Sequence, residues 1–73
     1  MLRKYEKKES VKLGQNLKKI RTKKGMSQSD IARTLDVGRG YISNIENGKT
    51  NPTLATIFRL AKAVEVSIDE LMK

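Results

Sequence analysis

Neither cysteine nor histidine occurs among the 73 residues, which removes thiolate nucleophiles, imidazole bases, disulfide staples and the usual zinc ligand sets together. The chemistry left to the chain is that of cations and hydrogen-bonding side chains. Sixteen Lys and Arg stand against eight Asp and Glu, a net charge of +8, and the excess is unevenly placed. Residues 1–24 hold ten basic side chains and two acidic ones (Glu6, Glu9), residues 25–49 hold three of each, and residues 50–73 again three of each. Clustered Lys and Arg suit a nucleic-acid surface, and suit an anionic membrane surface nearly as well. No acid has a credible catalytic neighbour, because Asp30, Asp69 and Glu70 stand where helix starts need them. The expectation is a binding protein and not an enzyme, with no metal or cofactor.

Seventy-three residues make one small domain. Such a domain buries only about 60% of its unfolded surface, so self-association is the natural way to stabilise it. No apolar run approaches the roughly 18 residues of a membrane span, and no apolar run follows the first basic residues as in a signal peptide. A cytoplasmic location is expected, without a membrane or small-molecule partner.

Residues 1–10 read as a basic, flexible arm, too sparse in apolar residues to anchor a helix. Leu13, Leu17 and Ile20 then recur on one helical face, and Lys23, Lys24 and Gly25 close that helix. Ser27 and Asp30 form a capping box for a second helix with Ile31, Ala32 and Leu35 inward, ending near Leu35 with Asp36 left-handed. A third helix spans roughly Arg39 to Asn47, with Ile42 and Ile45 inward and Gly48 as its stop. Pro52 breaks the following loop, Thr53 caps a helix with Leu54, Ile57, Leu60, Ala61 and Val64 inward, and Ser67 to Glu70 open a last short helix with Ile68, Leu71 and Met72. The pattern predicts an all-α fold of five helices, an arm over 1–10 and a domain over 11–73.

Two helices of about eight residues joined by a turn of three have the spacing of a helix-turn-helix, although an ordinary helical hairpin shares it. The residues themselves narrow the choice. Met26 to Val37 (MSQSDIARTLDV), Tyr41 to Lys49 (YISNIENGK), Pro52-Thr53-Leu54 and Val66 to Leu71 (VSIDEL) stand in an order and spacing that resemble the Cro/CI-type (Xre-type) helix-turn-helix family of phage repressors and bacterial regulators. The resemblance runs over about residues 11–73, with the motif at about 27–47, and implies a five-helix lambda-repressor-like domain. Asp36 stands where the family commonly has Gly, and Gly38 where it has a Ser or Thr cap.

What the resemblance implies is a sequence-specific regulator that binds double-stranded DNA as a homodimer on a palindromic operator, with the helix at about 39–47 in the major groove. Arg39, Gly40, Ser43 and Asn44 would then face base edges, Arg39 with guanine and Asn44 with adenine as partners, while a phosphate clamp is the other role open to Arg39. Gln28, Tyr41, Lys49, Thr50 and Asn51 would meet phosphates, with packing against the turn open to Tyr41 and a solvated loop to the last three. In the family an acid at Glu46 pairs with an arginine that falls here on Arg21, a structural ion pair. Ile68, Leu71 and Met72 form the expected dimer face, which would equally serve a protein partner in an antitoxin-like module. Arg3, Lys4, Lys7 and Lys8 are either DNA contacts or a solvated tail.

Overall fold

The structure, a computed structural model, describes the backbone of residues 2–73 and the side chains of residues 9–73. Its five helices are α1 (Leu2–Lys23), α2 (Gln28–Leu35), α3 (Arg39–Glu46), α4 (Leu54–Ala63) and α5 (Ile68–Met72), with no strand among the described residues. α3 packs on α1 and α2, α4 on α2 and α5, and α5 back on α1. Their inward faces meet in one core of Leu13, Leu17, Ile31, Ala32, Leu35, Ile42, Ile45, Leu60, Ala61, Val64 and Leu71.

The local signals act where they stand. Ser27 Oγ accepts from the Asp30 amide while Asp30 Oδ2 accepts from the Ser27 amide, at 3.0 and 2.8 Å. The bond from the Ser27 amide, with the Ser27 hydroxyl and the Arg33 guanidinium beside it, holds the Asp30 carboxyl below its ordinary pKa. Thr53 caps α4 and Ser67 caps α5 through their hydroxyls, each satisfying one free amide of a helix start. Gly25 and Gly48 stop α1 and α3 at φ 70° and 69°.

Three expectations are corrected. α1 begins at Leu2 and not near Leu13, so helix runs through the stretch read as an arm. Lys, Glu and Leu there are good helix formers, and a helix already nucleated by packing extends at one hydrogen bond per residue. Ser10 is buried and donates to Asn51 Oδ1 at 3.2 Å, which ties that stretch to the domain. The side chains of Arg3, Lys4, Lys7 and Lys8 lie outside the described residues. Second, Leu71 is fully buried and Met72 packs partly against the core, so Ile68, Leu71 and Met72 are not an exposed apolar end. The reason is that α5 folds back on α1, where Asn16 Nδ2 also donates to the Leu71 carbonyl at 2.9 Å. Third, Leu54 is not inward but 65% exposed. Its helical phase matches that of buried Ala61, yet no neighbouring element covers Leu54 itself, while Ile57 in the same turn packs partly against the core.

Asp36 and Glu65 share a backbone device. Each sits left-handed just past a helix, at φ 59° and 60°, and the next residue's amide reaches back to a carbonyl, Val37 to Ala32 at 2.9 Å and Val66 to Ala61 at 3.0 Å. This is the helix stop that glycine makes without steric cost. Aspartate tolerates the conformation better than glutamate. Glu65→Gly should therefore stabilise the domain by about 1 kcal/mol, roughly 4–8 °C in Tm, and Asp36→Gly by less. Thermal melts of the two variants check both the sign and the order.

Candidate nucleic-acid interface

α2 and α3 are held together by Ile31, Ala32 and Leu35 against Ile42 and Ile45, with Val37 in the turn packed partly on the same core. Ala32, 4% exposed, has the small side chain that a close crossing of two helices requires. The inward face of α3 is therefore consumed, and its other face is left to solvent.

That outward face carries Arg39, Gly40 and Asn44, all exposed, and Ser43, half-buried. Arg39 and Ser43, like Gly40 and Asn44, are four residues apart and so lie one above the other on the helix. Tyr41 is half-buried and packs partly against the core, so its ring points away from that group. Lys49 and Asn51 are exposed and Thr50 half-buried in the loop after α3, at the opposite end of the helix from Arg39. Asn47 closes α3 and donates to Ser43 Oγ at 3.4 Å.

Behind the face runs a chain of polar contacts. Arg21 Nε donates to Glu46 Oε2 at 2.6 Å and Nη2 to Oε1 at 3.1 Å, with the two side chains 11% and 2% exposed. Arg21 Nη1 is taken by the Met26 carbonyl at 2.8 Å. The pair is thus bidentate and satisfied, which a buried pair must be to offset its desolvation. Gln28 Nε2 donates to the same Glu46 Oε1 at 3.0 Å, and its own Oε1 accepts from Arg39 Nη1 at 3.1 Å. The amide of Gln28 consequently joins the buried pair to the first side chain of α3.

Several residues of this arrangement escaped sequence reasoning. Gly14, in the middle of α1, lies where a Cβ would stand 2.3 Å from the Ile45 carbonyl oxygen and 2.6 Å from that of Glu46. α1 therefore touches the last turn of α3 backbone to backbone and sets how far that helix stands out. The available signal was an isolated glycine inside a helical pattern. Ser10 and the Gln28 to Arg39 link had no sequence signal. Arg59 on α4, also missed, donates from Nη2 to the Leu35 carbonyl at 2.6 Å and satisfies the end of α2.

Two short helices crossing at a small residue, the second projecting a hydrogen-bonding face, are the geometry of a helix-turn-helix. The family model described as helix-turn-helix matches residues 17–71. The chain belongs to the helix-turn-helix family of DNA-binding transcriptional regulators.

Within this family, the chain is 36% identical to the control protein C.MunI of Mycoplasma sp, over 84% of each chain. It is 33% identical to the antitoxin HipB of Escherichia coli K12, over 80% of this chain and 66% of that one. Among solved structures it is similar to the restriction-modification controller protein C.AhdI of Aeromonas hydrophila, with a TM-score of 0.80 and 39% identity over 85% of this chain and 94% of that one. The controller protein C.Esp1396I, solved as a tetramer with its natural 35 base-pair operator, matches at a TM-score of 0.73 and 36% identity, over 88% and 95% of the two chains. In this helix-turn-helix chain no described helix is long and apolar enough to cross a membrane.

Proposed function

We propose that this helix-turn-helix protein regulates transcription as a homodimer that reads a palindromic double-stranded DNA operator, with α3 in the major groove. The observation that carries the reading is the shared outward face of Arg39, Gly40, Ser43 and Asn44 on a helix whose opposite face is core. Arg39 takes a guanine edge, its guanidinium steadied on Gln28, and Asn44 takes adenine. Gly40 lets the duplex approach closely at that turn. Lys49, Thr50 and Asn51 meet phosphates at one end of α3, and Tyr41 and the start of α2 at Gln28 meet them at the other. The basic excess of residues 1–24 steers the approach without choosing sequence. Support for assembly comes from C.Esp1396I, a co-extensive relative that binds its operator as a tetramer. Two copies would place their recognition helices about 34 Å apart.

Selection of random duplexes on the purified protein tests this directly, with enrichment of one palindrome as the expected result. Arg39→Ala and Asn44→Ala should each weaken binding to that palindrome by about 1–3 kcal/mol and relax preference at one base position. Lys49→Ala should weaken all duplexes alike. With four or five phosphates neutralised, log affinity should fall against log salt with a slope of about −3.6 to −4.5 per subunit. If no palindrome is enriched, the reading fails, and the likeness to HipB favours a protein-directed, antitoxin-like role instead.

A further inference from the structure

Resting on the DNA reading above, we propose that the outer face of α1, along Lys12, Lys19 and Lys23, holds a second segment of duplex DNA, so that one regulator bridges two duplexes. The three lysines are exposed, as are Gln15, Lys18 and Thr22 beside them. Lys12 and Lys19 are seven residues apart and Lys19 and Lys23 four, so they form one line of about 16 Å along the helix. Gly14 and Arg21 mark the side of α1 that α3 occupies, the first by backbone contact and the second by its bonds to Glu46. At roughly 100° per residue the lysines stand roughly 140–180° round the helix from both. They are therefore turned away from α3 and from a duplex held on it. Among the described residues the ion pairs are Arg21 with Glu46 and Arg33 with Asp30, and neither neutralises this line. Glu9, one turn before Lys12, is the acid nearest the line in sequence, and it leaves Lys19 and Lys23 untouched.

The chemistry of the face selects the occupant. Lysines with no arginine, aromatic or large apolar side chain among them act as point charges on flexible stems. A protein interface has the opposite composition, with aromatic residues at its centre and lysine depleted. A membrane surface needs an apolar face to bury, and in α1 Leu13 and Leu17 are spent in the core and Ile20 packs against it. Val11 is exposed but lies beside Gly48, off the line. A duplex needs neither aromatic nor apolar groups, since each strand carries a charge about every 3.4 Å and binding draws on counterion release. A line of about 16 Å spans about five phosphates of one strand, enough to occupy three lysines. An operator held by α3 also supplies the second segment, because the rest of the same DNA molecule stays at high effective concentration. DNA is stiff over about 150 base pairs, so that segment is a distant stretch looping back and not the operator's own flank.

The test is capture of a second duplex by the full chain. A duplex fixed to beads, carrying the selected palindrome in one arm and none in the other, is loaded with protein and offered a labelled duplex of unrelated sequence. Wild type should capture it, and affinity for the labelled duplex should fall against salt with a slope of about −2.7 for three phosphate contacts. At about 0.1 M salt each contact contributes roughly eightfold. Lys19→Gln with Lys23→Gln should therefore weaken capture about 60-fold and leave a slope of about −0.9. The control is Lys62→Gln with Lys73→Gln, which removes the same charge from exposed positions at the other end of the chain. A long-range field alone would weaken capture alike in both pairs, whereas a bound duplex is lost only with the α1 pair. Glutamine is close to lysine as a helix former, so circular dichroism and melting should stay near wild type in all variants. No capture by wild type, or a loss in the α1 pair no greater than in the control pair, overturns the proposal. So does binding of phosphatidylserine vesicles or polyglutamate, abolished by the α1 pair, with no duplex captured. Capture that depends on Lys19 and Lys23 while the selection enriches no palindrome would overturn the operator reading and leave this surface standing.

Discussion

Gly14→Ala should destabilise the domain by about 2–3 kcal/mol even though alanine is the better helix former by about 1 kcal/mol. The added methyl would stand 2.3 Å from the carbonyl oxygen of Ile45 and 2.6 Å from that of Glu46. These are backbone atoms of a hydrogen-bonded helix end and cannot rotate away, so α1 and α3 must separate. Separation opens the core at Leu13, Leu17, Ile42 and Ile45, which are at most 3% exposed. Small domains hold only about 5–15 kcal/mol in total, so the loss is a large share. Urea titration should show a lower midpoint at an unchanged slope. Since the contact also sets how α3 stands out, operator affinity should fall even where the variant remains folded. Gly40, which has no atom within 4 Å of its notional Cβ, is the control: Gly40→Ala should melt no lower than wild type.

Glu46→Ala should cost about 3–5 kcal/mol. It leaves the Arg21 guanidinium buried with only the Met26 carbonyl as partner, and it deprives Gln28 Nε2 of its acceptor. The penalty is that of an uncompensated buried charge and not the net worth of the pair. Removing both charges, as Arg21→Met with Glu46→Leu, should therefore recover most or all of the stability. Recovery should not extend to recognition. Gln28 would lose its anchor and Arg39 with it, so the double variant should fold like wild type while discriminating less sharply at the base read by Arg39. Urea titration of the single and double variants, alongside duplex selection on the double variant, distinguishes the two roles. A double variant as unstable as Glu46→Ala would show that the loss is one of packing.

The same residues show why part of the site is open to sequence reasoning. Helix ends are local events: Ser27 needs only Asp30, Thr53 only Thr56, and Gly25 only its own φ. Their meaning is therefore written within three or four neighbouring positions, and so is the spacing that puts Arg39, Gly40, Ser43 and Asn44 on one face of α3. The partner of Glu46 is 25 residues away, and resemblance to a family, not spacing, pointed to Arg21.

What depends on a neighbour brought from afar was decided by the tertiary structure. Periodicity says that Leu54 and Leu71 each share a side of a helix with core residues, but not whether another helix arrives to cover that side. Leu71 on α5 is covered by α1, and Leu54 at the start of α4 is not covered. Gly14 reads as a weakness in an isolated helix and becomes a point of contact only when α3 crosses it. Gln28 reads as a helix-start residue that could meet a phosphate, and folding places it between Glu46 and Arg39. Where each helix stops and which side chains share its faces are legible in the residues alone, because both follow from backbone geometry over one turn. Only the packing decided which of those faces are buried, since burial is a property of two elements and neither carries it alone.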